Sequence, residues 1–275
     1  MKGTRRIEDC RVWVTGGRRG LGYAFAAHFA SLGAEVHITS REPGSAAAVE
    51  AVDSLAHAAR AHAVGHGTQA KPVTVHGLDM ADPASLDALS DAIRHHPPHV
   101  LVHAAHVFAD HVPIVGRKPE DFARGLSSNV VSAYTILRSA ARAMAREGLG
   151  RILVVGSFAT VKPGLGQVGY VTEKAALEGM VRSFAAEFAA RGVHVNVVHP
   201  GICDTENVRD RVPEVIRDAY AARTSAGRLL SPKEVVLASF SLCDPRHAGI
   251  TGQSLAITGG ADLAGLVAGT SGAET

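Results

Sequence analysis

The chain has little cysteine: three residues in 275, an odd number. Cys10, Cys203 and Cys243 lack metal-type spacing, so neither a disulfide framework nor a thiolate zinc site is read, and reduced thiols in the cytoplasm are expected. It also lacks any apolar run long enough to span a bilayer, which argues against a membrane protein. The opening residues, MKGTRRIEDC, carry charge but no apolar core, so no secretory leader is expected. An excess of one charge is missing too. The 28 basic and 26 acidic side chains leave a net charge of +2, scattered along the chain, which argues against a nucleic-acid surface. No linker, low-complexity segment or fixed-period repeat divides the chain, so residues 1–275 are expected to form one domain.

What is present is alternation. Short β-branched runs recur at Val12–Thr15, Glu35–Thr39, Val73–His76, Val100–His103, Arg151–Val155, Val193–Val198 and Ser254–Ile257. Several are apolar on consecutive positions, as strands covered on both faces require. Between them the spacing predicts helices over Leu21–Leu32, Ala46–Ala63, Ala84–Arg94, Ser128–Arg146, Val171–Arg191 and Pro232–Leu242. Asp82-Pro83 and Ser231-Pro232 supply a cap followed by proline, and Gly33 and Gly192 sit just past helix ends. Strand–helix–strand order throughout implies an α/β fold, doubly wound, with a parallel sheet of about seven strands.

The first strand runs into Thr15-Gly16-Gly17-Arg18-Arg19-Gly20-Leu21-Gly22, and a helix follows. In that context Gly16 permits a tight turn and Gly20 lets a pyrophosphate approach the backbone. Gly22 lets helix and strand pack closely. At the end of the second strand, where an acid would hold a ribose 2′-hydroxyl, the sequence reads Thr39-Ser40-Arg41. Arg41, with Ser40 and with Arg18 or Arg19 from the turn, suits a 2′-phosphate, because guanidinium is planar and permanently charged. The expected cofactor is NADPH/NADP+ rather than NAD.

Further on, Tyr170-Val171-Thr172-Glu173-Lys174 places a tyrosine and a lysine on one helix face. The ammonium is expected to draw the phenol's pKa down toward the working range. With the glycine turn, this resembles the short-chain dehydrogenase/reductase family over nearly the full length. Asp79, Asn129 in Ser128-Asn129-Val130, and Ser157, thirteen residues before Tyr170, match that family's pattern. So does Pro200-Gly201, with Thr205 four residues beyond the glycine. The resemblance implies a Rossmann fold and a catalytic set of Asn129, Ser157, Tyr170 and Lys174. Tyr170 would protonate a carbonyl oxygen, Ser157 would hydrogen-bond it, and Lys174 would hold the ribose. Asn129 would hold a water linking Lys174 to solvent. It further implies cofactor contacts along Thr15, Gly16, Arg18, Arg19, Gly20, Leu21 and Gly22, at Ser40, Arg41, Asp79, Met80, Ala105 and Lys174, and at Pro200, Gly201, Ile202 and Thr205.

The pattern breaks at one place. After the fourth strand the family carries Asn-Asn-Ala-Gly, and this chain has His103-Ala104-Ala105-His106. Glycine there leaves room for the cofactor's ribose, so His106 must point away, shift the loop or join the site. The chain holds 15 histidines, and His95, His96 and His99 precede this pair closely. Without carboxylate or cysteine at ligand spacing, surface and loop histidines are expected and no metal.

Residues 204–230, charged at helical spacing, are expected to form a lid over the substrate. Ala226-Gly227-Arg228-Leu229, Ile250-Thr251-Gly252-Gln253 and Thr258-Gly259-Gly260 resemble the 3-oxoacyl-[acyl-carrier-protein] reductase branch. This implies ketoreduction of a small or carrier-bound ketone, with no nucleic-acid or membrane partner. Secondary alcohol or sugar oxidation is an alternative, and so is a non-catalytic NADP-binding sensor or scaffold. The family assembles through its long helices, so a homotetramer or homodimer is expected, with residues 262–275 as a flexible or interface tail.

Overall fold

The computed structural model describes residues 5–263. The tail expected at 262–275 therefore lies almost wholly outside the described residues. Seven strands form one parallel sheet: β1 (Arg11–Thr15), β2 (Glu35–Ser40), β3 (Val73–Gly77), β4 (Val100–His103), β5 (Gly150–Val155), β6 (Val193–Pro200) and β7 (Ser254–Ile257). Their order across the sheet is β3-β2-β1-β4-β5-β6-β7. The chain winds outward from β1 to β3, then returns beside β1 and winds the other way. The β1–β4 seam is thus the point where strand order reverses, and in open α/β sheets ligands bind at the carboxyl ends of the strands at such a point.

Alternation along β1 divides the core. Trp13 points into a layer with Leu101, Ile152, Leu137 and Phe184, whereas Val12 and Val14 point into a layer with Phe25, Phe29, Ile38 and Val236. The first layer is covered by α3 (Pro83–His95), α5 (Ser132–Glu147) and α6 (Val168–Phe188). The second is covered by α1 (Gly20–Ser31) and α2 (Ala46–His66) together with a helix over Pro232–Ser239. All seven strands and six helices match the segments predicted from the sequence, with shifted ends.

The sequence reading missed α4 (Pro119–Leu126), which runs through a π turn, Ser127–Val131, into α5. The proline at its first turn, followed by Glu120 and Asp121, is a start signal in hindsight. In the 204–230 segment two short helices form, α7 (Glu206–Arg211) and α8 (Glu214–Ala221), followed by α9 (Pro232–Ser239). A capping box between Ser231 and Glu234 opens α9.

Candidate active site

At the β1–β4 seam Thr15 pairs in register with His103. The Thr15 Oγ1 accepts the backbone N–H groups of Ala104 and Ala105, each at 3.2 Å, and lies 2.9 Å from His103 Nδ1. With two donors already on that oxygen, its own hydrogen goes to Nδ1, so His103 is neutral with its proton on Nε2. Burial, aided by the Lys174 charge, pushes its pKa down to about 3. The turn above is built on positive φ at Gly16 (68°) and Gly20 (59°). A Cβ at Gly16 would meet the Ala105 backbone at 2.9 Å, and one at Gly22 would run into the Gly16 carbonyl. A Cβ at Gly20 would meet nothing nearer than Thr205 at 3.9 Å. The first turn of α1 follows with no side chain capping it. Open space over a glycine, next to uncapped helix N–H groups, fits a pyrophosphate.

The neighbouring positions are consistent with that cradle. Ser40 is buried at the end of β2, its hydroxyl turned to the Glu42 backbone, and Arg41 is exposed beside it. Arg18 and Arg19 lie on the turn and Leu21 in the first turn of α1, all at least partly open to solvent. Asp79 accepts the Ala81 N–H, and the Met80 carbonyl accepts the Ser132 hydroxyl. Pro200 ends β6, and the Gly201 N–H donates to Ile257. Ile202 follows, and Thr205 caps α7. The Tyr220 hydroxyl of α8 packs so closely on Gly201 that no Cβ would fit there.

Asn129, Ser157, Tyr170 and Lys174 come from the π turn, the end of β5 and the start of α6. Lys174 is buried and donates from Nζ to the Val155 carbonyl at 2.9 Å, and burial brings its pKa down to about 8. Its Nζ lies 5.9 Å from the centre of the Tyr170 ring. The Ser157 hydroxyl stands beside Tyr170 and favours its ionised form. His199, which the sequence reading did not single out, stands behind it: its Nδ1 is 3.2 Å from the Ser157 N and a Cβ on Gly156 would strike its ring.

One expectation is corrected here. Tyr170 is not drawn down by Lys174. Burial pushes the phenol above its ordinary value, the neighbouring Ser157 hydroxyl opposes this, and the Glu173 charge adds to it. Both hydrogens of the Asn129 amide are taken. It donates to the Val107 carbonyl (3.0 Å) and to Glu173 Oε2 (3.0 Å), while its oxygen accepts the Val107 N–H at 2.7 Å.

The histidine expectation is corrected as well. His95 is exposed, but His99 and His103 are buried. The His106 side chain is only 5% exposed, with Nε2 3.4 Å from Glu173 Oε2 and its ring edge-on to Tyr170 at 5.2 Å. So His106 joins the site. Among the described residues no cluster of three or more His, Cys, Asp or Glu is arranged to hold a metal. Nor is any described helix long and apolar enough to cross a membrane.

A glycine cradle at the reversal point of a parallel sheet, with tyrosine, serine and lysine converging beside it, defines a dinucleotide-binding oxidoreductase. A family model described as enoyl-(acyl carrier protein) reductase matches residues 16–262, and the chain belongs to the short-chain dehydrogenase/reductase family. It is 32% identical over 249 residues to the 3-oxoacyl-[acyl-carrier-protein] reductase FabG of Escherichia coli, covering 90% of this chain and 95% of that one. A crystal structure of a 3-oxoacyl (acyl-carrier-protein) reductase from Agrobacterium tumefaciens with NADP bound superposes with a TM-score of 0.81. The identity is 26%, over 94% of this chain and 95% of that one. A short chain dehydrogenase from Burkholderia cenocepacia in complex with NADP gives 0.78 at 28% identity, over 94% and 100%.

Proposed function

We propose that this oxidoreductase is an NADPH-dependent ketoreductase in which Tyr170 donates the proton. The observation that carries the reading is the convergence of Tyr170, Ser157 and buried Lys174 beside the glycine cradle. NADPH, when bound, supplies the hydride. The α1 amides and Gly20 hold its pyrophosphate, and Ser40, Arg41 and the turn arginines take the 2′-phosphate. Lys174 orients the ribose hydroxyls. Ser157 hydrogen-bonds the substrate oxygen as charge develops there, and Tyr170 gives that oxygen its proton.

The entrance supports an apolar ketone. Phe108 lies 6.2 Å from Tyr170 with Arg211 of α7 over its outer face. Ile114 and Val115 in the loop after β4, Leu165 before α6 and Val215 of α8 are exposed as well. The 204–230 segment acts as the lid. Its ends are pinned together by the Cys203–Leu230 bridge, and its helices carry their charges to solvent, Arg217 excepted. Exposed Val131 and Tyr134 on the α5 side support assembly of the chain with copies of itself.

Titrating the protein with NADPH and with NADH, following nicotinamide fluorescence, tests the cofactor. Tight NADPH binding that collapses in Arg41→Asp is expected, and equal affinity for both would move alcohol oxidation forward. A short 3-oxoacyl thioester then tests turnover. Binding of neither cofactor would sink the reading and favour a chain that kept the fold and lost the chemistry.

A further inference from the structure

On α6, Tyr170, Glu173 and Lys174 stand at i, i+3 and i+4, which puts a phenol, a carboxylate and an ammonium on one helix face. The ammonium favours phenolate and the carboxylate opposes it, so the state of the proton donor depends on which charge is held more firmly beside it. Glu173 is held by three other elements. Asn129 of the π turn donates to Oε2 at 3.0 Å, and His106 from the β4 end approaches the same oxygen at 3.4 Å. On the third side α4 contributes Gly125, where a Cβ would run into Glu173 Oε1. The carboxylate is 7% exposed, and Asn129 gives it one of its two N–H groups. A buried carboxylate is costly unless it is hydrogen-bonded and paired, so this clamp is a built feature and not a chance contact.

We propose that Glu173, clamped by Asn129, His106 and the gap at Gly125, is a positioning residue whose negative charge keeps the Tyr170 hydroxyl in its protonated, proton-donating form. The inference rests on the reductase reading and gives it a direction, since a phenol kept protonated serves reduction. It also accounts for the histidine at position 106: the side chain that replaces the family's glycine supports the carboxylate. The other charged or titratable groups facing this pair are few. Lys174 comes from α6, and His103 from β4, buried and neutral. Asp110, His111 and Arg117 come from the loop after β4, Asp121 from α4, and Cys203 from beyond β6. Lys174 and Arg117 favour the Glu173 carboxylate, against burial, which is the larger influence and raises its pKa. In the alkaline range where a tyrosine titrates, Lys174, at about 8, has lost its proton, and the Glu173 charge is the one that counts.

The test follows Tyr170 directly by ultraviolet difference absorbance of tyrosinate as pH is raised. The Tyr170→Phe protein serves to subtract the other three of the four tyrosines. In the wild-type protein the Tyr170 midpoint should lie above the ordinary 10.0. In Glu173→Gln, and in the smaller Glu173→Ser, it should fall by about one pH unit, the scale of a nearby buried charge. A merely structural role would not move that midpoint in a variant whose melting curve is intact. An unchanged or higher midpoint in either folded variant overturns the proposal. So does a wild-type midpoint at or below 10.0, however the variants fold. The titration needs neither cofactor nor ketone. A protein that shows the shift but binds no NADPH therefore overturns the reductase reading alone.

Discussion

His37 Nδ1 and His76 Nε2 lie 2.9 Å apart on adjacent strands, and both rings stack on Trp13 at 4.6 and 4.5 Å. His37 Nε2 donates to the Glu35 carboxylate at 2.9 Å, so its Nδ1 must accept, and His76 supplies the N–H. Burial lowers both pKa values and so favours the neutral rings that this pairing requires. Burial, with the charges of His37 and His96, brings the His76 pKa down to about 4, against 6.5 in a free histidine. A base whose pKa is lowered by folding binds its proton more readily unfolded, so stability is lost as pH falls from about 6.5 toward 4. Urea midpoints measured across that window should drop steadily, and less steeply in His76→Asn. A flat profile would show that the rings do not titrate this way.

Thr15 is the pivot of the β1–β4 seam, because one hydroxyl takes two backbone N–H groups and also bonds His103. Thr15→Val keeps the shape and removes all three partners. The Ala104 N–H keeps the Thr15 backbone carbonyl, so leaving the Ala105 N–H and His103 Nδ1 unpaired should cost about 2 kcal/mol of unfolding free energy. Chemical denaturation would register the loss. A change near zero would mean that water or a loop shift replaces the hydroxyl.

The seven strands were legible because consecutive apolar residues bounded by glycine and proline have few other readings. The cradle was legible because glycine at a strand–helix turn has a backbone reason. Helix α4 escaped because it is eight residues long and offers a single apolar pair, Phe122 and Leu126, too short a run to show a period. The Glu173 clamp escaped for a different cause. Its four parts, at positions 106, 125, 129 and 173, meet only through tertiary packing, and sequence separation hides them from any local pattern. Misreading the histidines has the same origin, because burial of His99, His103 and His106 depends on strand register and not on composition.

Gly16 and Gly67 both have positive φ, 68° and 62°, but differ in surroundings. A methyl at Gly67 meets nothing within 4 Å, whereas at Gly16 it meets the Ala105 backbone. Gly67→Ala should cost only the left-handed strain, about 1 kcal/mol. Gly16→Ala adds a backbone clash and should cost about 3 kcal/mol, with loss of NADPH binding. Equal penalties in thermal melts would mean that the β4 end moves freely away from the turn.

The three thiols should be silent in the folded protein. Cys10, Cys203 and Cys243 are all at most 3% exposed. Burial pushes the first two up to about 12 and the third higher still. Thiolate is the reacting form, so a maleimide at neutral pH should label none of them within the time that labels all three in denaturant. Rapid labelling of one would mark a locally opening element.

Tyr170→Phe removes a single oxygen from the site and leaves the ring that packs on His106 and Phe108. Stability and NADPH affinity should stay close to wild type, because neither the cradle nor the Lys174 bond to Val155 involves that oxygen. Turnover of a 3-oxoacyl thioester should fall by about 10²–10⁴, the range for losing a positioned proton donor. Ser157→Ala should cost about 10² or more, since it removes a hydrogen bond to developing charge and leaves the acid in place. The Ala159 N–H that this hydroxyl accepts would be freed at the same time, so a melt must accompany the kinetics. If Tyr170→Phe turned over at the wild-type rate, the proton would have to come from elsewhere. The neutral His103 and the His106–Glu173 pair are the groups near enough to examine next.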